Sequence, residues 1–118
     1  MQYMFLIYQD DTTHPQPGTP DWDVLMDGFH AFTSSWTRPA KLVGAAPLKH
    51  TATATTVRVT PGGAVTTDGP FAETKEQLGG FFLVEAKDID EACAVAARFP
   101  PARLGTIEVR PVQELEHS

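Results

Sequence analysis

Two short runs of this chain are apolar on both of their alternating faces: Tyr3 to Tyr8 (Tyr-Met-Phe-Leu-Ile-Tyr) and Phe81 to Ala86 (Phe-Phe-Leu-Val-Glu-Ala). A half-exposed strand shows a polar residue at every second position, so each run predicts a central strand covered on two sides. Between them, Trp22, Leu25, Met26, Phe29, Phe32 and Trp36 recur at helical spacing on one face. That helix opens at Thr19 or Asp21, tolerates Pro20 in its first turn, is weakened by Gly28 and stops at Pro39. Lys41 to Leu48 reads as a second strand. Thr55 to Thr60 alternates, turns at Pro61-Gly62-Gly63 and returns over Ala64 to Thr67 as the partner of a hairpin. Asp88 or Asp90 opens a second helix with Ile89, Ala92, Cys93, Ala96 and Phe99 on its apolar side, ended by Pro100-Pro101. Ile107, Val109 and Val112 form a last strand, which Pro111 assigns to a sheet edge.

The order strand, helix, strand, hairpin, strand, helix, strand is an α+β plan: a ferredoxin-like βαββαβ with an extra β-hairpin, over residues 1–118 as one domain. In that topology the first and third principal strands are the central pair, and these are the two doubly apolar runs. Two helices cover only one face of such a sheet. The other face is expected to meet the same face of a second copy, so a homodimer is expected.

Composition narrows the function classes. The 118 residues hold nine basic and fifteen acidic side chains, a formal charge of −6. Such a surface repels phosphate backbones, so no direct nucleic-acid contact is expected. No apolar run approaches the ~20 residues that span a bilayer. The N-terminus shows no signal-peptide pattern and the single cysteine fits a reducing compartment, so no membrane association and a cytoplasmic location are expected. His14, His30, His50 and His117 stand at no ligand spacing, and there is no cysteine pair. No metal and no cofactor is therefore expected.

The segment Asp68-Gly69-Pro70-Phe71-Ala72-Glu73-Thr74-Lys75-Glu76-Gln77-Leu78-Gly79-Gly80-Phe81-Phe82 is a long, charged connection between strands. Together with Met4-Phe5-Leu6-Ile7-Tyr8, the Thr-Ala-Thr-Thr-Val-Arg-Val stretch at 53–59 and Ile107-Glu108-Val109-Arg110-Pro111, it resembles the YCII-related superfamily. The resemblance is to the branch named for its Asp-Gly-Pro-Phe (DGPF) motif, and it covers essentially the whole chain. It implies a dimeric α+β barrel of ferredoxin-like subunits. In the wider superfamily a His–Asp pair is proposed to work in a cleft, one relative is a lyase acting on a chlorinated aromatic, and members of the branch are often encoded beside extracytoplasmic-function sigma factors. Counted back from Lys41-Leu42-Val43, the superfamily's helical histidine falls on Phe29, next to His30.

These readings give a homodimeric protein that binds, and as an enzyme transforms, a small organic molecule by cofactor-free acid–base chemistry, as a lyase or isomerase. Asp68 is the candidate base and His30 a further catalytic candidate, with Glu73, Lys75 and Arg103 as substrate contacts. Asp68 has a structural reading beside the catalytic one, as a turn residue bonding the N–H of Gly69 or Phe71. His30 points away from the apolar stripe of a regular helix, which predicts exposure. The alternative function is a non-catalytic accessory partner of a sigma factor.

Overall fold

A computed structural model describes residues 1–34, 41–99 and 105–115. Strand β1 (Gln2–Gln9) and helix α1 (Pro20–Ser34) lead to β2 (Lys41–Pro47). The ribbon strands β3 (Thr55–Thr60) and β4 (Gly63–Asp68) follow, then β5 (Gln77–Glu85), α2 (Ile89–Ala96) and β6 (Gly105–Pro111). Four strands form one antiparallel sheet in the order β2-β5-β1-β6, while β3 and β4 pair only with each other. This mixed α+β arrangement is compatible with the ferredoxin-like plan. The two doubly apolar runs are the central strands, paired Phe5 to Phe82 and Tyr3 to Val84. β6, which carries Pro111, is an edge strand as its proline requires.

Local chemistry sets the helix ends. The Thr19 hydroxyl accepts from the Trp22 N–H at 3.2 Å, so Thr19 caps α1 and Pro20 takes the first helical position, where its missing N–H costs nothing. Asp88 caps α2 by accepting from the Glu91 N–H at 2.8 Å, and the Glu91 carboxylate reaches back to the Lys87 N–H at 3.0 Å. The buried face of α2 differs from the expected one. Ala92, Val95 and Ala96 are buried, whereas Cys93 is exposed and Ile89 is 42% exposed. The helix is rotated to bring Val95 inward, since Val95 lies on the same face as Ala92 and Phe99 at spacings of three and four. Trp36, Pro39 and Pro100-Pro101 lie outside the described residues.

The core gathers on one face of the sheet. Tyr3 and Phe5 of β1 and Val84 of β5 meet Ala92, Val95, Ala96 and Phe99, with Phe32 of α1 packed against them. Phe99 is the hub. Its ring lies 4.6 Å from Phe82, 4.8 Å from Phe32 and 5.3 Å from Phe5 between centroids, every contact edge-on. Edge-to-face pairs add to plain area burial because the positive rim of one ring meets the negative face of the next.

The β3–β4 ribbon stands off from this body. Val57, Val59 and Val65 are 60%, 82% and 51% exposed. The radius of gyration is 16.4 Å, against about 13–14 Å expected for a compact chain of this length.

Replacing Phe99 by Ala removes three aromatic contacts from a site that is 1% exposed. The expected loss is about 3–5 kcal/mol of unfolding free energy, read from urea denaturation followed by circular dichroism.

Candidate functional site

Because β1 and β2 both run antiparallel to β5, they are parallel to each other, and the segments leaving their ends emerge at the same edge of the sheet. There a cleft of about 360 Å³ opens between α1 and the sheet. One wall is helical: Trp22, Leu25, Met26 and Phe29. The opposite wall is Ile7, Leu42 and Phe82, with Phe29 and Phe82 parallel, their planes 3° apart and centroids 5.9 Å apart. Its floor includes Gly79 and Gly80, and the Gln9 side chain lies over Gly79, where an added Cβ would meet its amide. Gly79 is the extra residue of a bulge, since Ile7 pairs with Gly80 and Tyr8 with Leu78. A side chain at Gly80 would bring its Cβ to 3.0 Å from the Ala46 carbonyl oxygen, so close approach of β2 also requires glycine here. The strand therefore begins at Gln77, ahead of the Phe81 start that its apolar run predicts.

One end of the cleft is polar. After β1 the Asp10 carboxylate accepts from the Thr12 N–H at 2.9 Å and the Thr12 hydroxyl at 2.6 Å, which turns the chain and holds that carboxyl below the usual carboxylate range. This turn brings Asp11 to face Thr51, whose hydroxyl donates to Asp11 Oδ2 at 2.7 Å and whose N–H donates at 3.4 Å. His50 stands beside them, with Nε2 3.9 Å from the same oxygen. Its Nδ1 accepts from the Ala52 N–H at 2.9 Å, so in the neutral ring the proton sits on Nε2 and the cleft meets a donor.

His14 completes this end. Nδ1 is buried without a hydrogen-bond partner among the described residues, and the ring meets Trp22 edge-on at 6.4 Å. Burial pushes the His14 pKa below its ordinary value of 6.5, and the Asp11 charge opposes this only in part. His14 is thus a neutral base at neutral pH, poised at the rim of an apolar slot. Among the described residues no group of three or more His, Cys, Asp or Glu side chains is placed to hold a metal ion.

Of the residues singled out from the sequence, His30 lines this cleft, at an exposed position on α1. Asp68 ends β4, exposed and apart from the cleft lining; its carboxylate makes no hydrogen bond among the described residues. The Gly69 N–H donates instead to the Ala54 carbonyl at 2.7 Å, with Gly69 at φ +99°. Glu73 and Lys75 are exposed in the connection that follows, also outside the lining. Arg103 lies outside the described residues. Asp11, His14 and His50 escaped sequence reading because their partners are up to 40 residues apart. The available signal was topological: polar residues directly after two parallel strands of one split βαβ unit end up together.

In the folded protein His14 resists protonation where the unfolded chain accepts it, so stability is full above 6.5 and falls as pH drops from there toward the lowered folded value. Histidine ring resonances followed by NMR against pH are expected to show His14 titrating below 6.5. Asp11→Asn is expected to move that midpoint further down, because it removes the charge that favours the imidazolium.

Two comparisons bear on descent. The family model of the YCII-related domain matches residues 1–116. An uncharacterised protein of Rhizobium meliloti is 35% identical over 114 residues, which cover 95% of this chain and 92% of that protein. A match over this length, on a chain whose sheet order and helices are compatible with the expected α+β plan, shows that the protein belongs to the YCII-related family.

Proposed function

We propose that the protein binds a small, largely apolar organic molecule in the cleft between α1 and the sheet, and moves a proton on it without a cofactor. The observation that carries this reading is the pairing of a 360 Å³ apolar slot with an unprotonated histidine and an oriented N–H donor at one end. In the proposed step His14 Nε2 takes a proton from a carbon next to a carbonyl. The C–H electron pair moves into the carbonyl, and the resulting oxyanion accepts from the His50 Nε2–H. Returning the proton to a different carbon gives isomerisation; departure of a leaving group gives elimination. Asp11, tied to Thr51, holds the two loops in register at that end of the cleft. His30 borders the site from α1.

The same proposal has the protein work as a homodimer. Both helices pack on the face of Tyr3 and Phe5, while the opposite face presents Met4 beside Leu83 and Leu6 beside Phe81 across the central strands. A second copy covers this face most simply, giving an α+β barrel. Light scattering at micromolar concentration is expected to report twice the chain mass, and Leu6→Glu to halve it. A monomeric wild type removes the dimer from the proposal.

A second reading, an accessory protein docking on a sigma factor, draws on the exposed ribbon valines and on Phe71, which is 79% exposed. NMR chemical-shift mapping with a panel of small aromatic and carboxylic acids separates the two. The cleft reading expects shifts at Trp22, Phe29, Gly80 and His14, abolished by Met26→Trp, which fills the slot. A panel without any cleft response, together with binding of a sigma factor that Val59→Thr weakens, would favour the accessory reading.

A further inference from the structure

The cleft's polar end is unevenly supplied with charge. Among the described residues, Asp11 supplies the only carboxylate in its lining, and its Oδ2 is already engaged by the Thr51 hydroxyl and N–H and faced by His50. Against this stand Lys49 and the His50 Nε2–H, both in the same lining. Lys49 forms no ion pair among the described residues. Gln16 turns its amide N–H groups back onto the carbonyls of His14 and Asp11, so it offers the cleft no donor to replace them. An apolar molecule entering with a negative group therefore finds a cation and an oriented donor. One entering with a positive group finds a carboxylate already engaged through Oδ2, and a lysine in the same lining that repels it.

The shape of the slot adds a second constraint. The Gln9 side chain covers Gly79 on the floor, and the facing walls carry Trp22, Phe29 and Phe82. Aromatic walls match a flat ring better than a branched chain.

Building on the cleft reading above, we infer that the ligand of this protein is a flat, ring-bearing organic anion, a carboxylate or enolate, whose charge is held by Lys49 and His50. Lys49 is then the residue that sets specificity for charge, and His50 the one that fixes the orientation of the anionic oxygen. The ring fills the slot under α1, against Trp22, Phe29 and Phe82.

The test is isothermal titration calorimetry on the full chain with three ligands of one shape: 2-naphthoate, the neutral 2-naphthylmethanol and the cationic 2-naphthylmethylammonium. Naphthoate is expected to bind about tenfold more tightly than the alcohol, with the ammonium weakest. Lys49→Met is expected to bring naphthoate and alcohol to within about threefold of each other, and Lys49→Arg to restore the preference. Lys49 is exposed, so both variants are expected to melt like the wild type, which thermal unfolding checks. Equal binding of the alcohol and the carboxylate, or a preference that survives Lys49→Met, overturns the inference and leaves the cleft reading standing. Failure of all three ligands to bind overturns the cleft reading and this inference with it.

Discussion

The structure depends on one ring. Phe99 follows α2 and reaches β1 through Phe5, β5 through Phe82 and α1 through Phe32, each edge-on. Its position explains why α2 turns Val95 inward and leaves Cys93 in solvent: the helix must deliver Phe99 to the middle of the sheet. Close packing of this kind fixes the gap between α1 and the sheet.

That gap is filled at only one end. Around Phe99 the space is taken by aromatic rings. Toward the ends of β1 and β2 the sheet offers Gly79 and Gly80, and the same gap is left open as the cleft. Phe82 is common to both ends, edge-on to Phe99 and parallel to Phe29. The core and the proposed site are thus parts of one layer, and the bulge at Gly79 marks where packing gives way to an opening.

Electrostatics at the open end follow from where loops must go. Two parallel strands deliver Asp11 and His50 to the same edge, and the Asp10 turn and the cap made by His50 on the short 3-10 helix (Thr51–Thr53) orient them. His14 is carried in on the first of these loops and partly buried against Trp22. Its neutrality is a product of burial, which no local sequence feature records.

Taken by itself, the sequence determined the element order, the two central strands, the caps to within a pair of residues each (Thr19 or Asp21, Asp88 or Asp90), the edge position of the last strand and membership of the YCII-related family. Each of these rests on local periodicity, a short-range hydrogen bond or an extended motif. It named His30 as a candidate, which lies in the lining of the cleft. It did not disclose the polar cluster at the cleft's end, because Asp11 and Thr51 meet across 40 residues. Only the tertiary structure decided that meeting, the rotation of α2 and the separation of Asp68 from the cleft lining. The physical reason is common to all three. Spacing along a chain fixes which side chains share a face, whereas the relative placement of faces is set by long-range strand pairing and by the packing around Phe99.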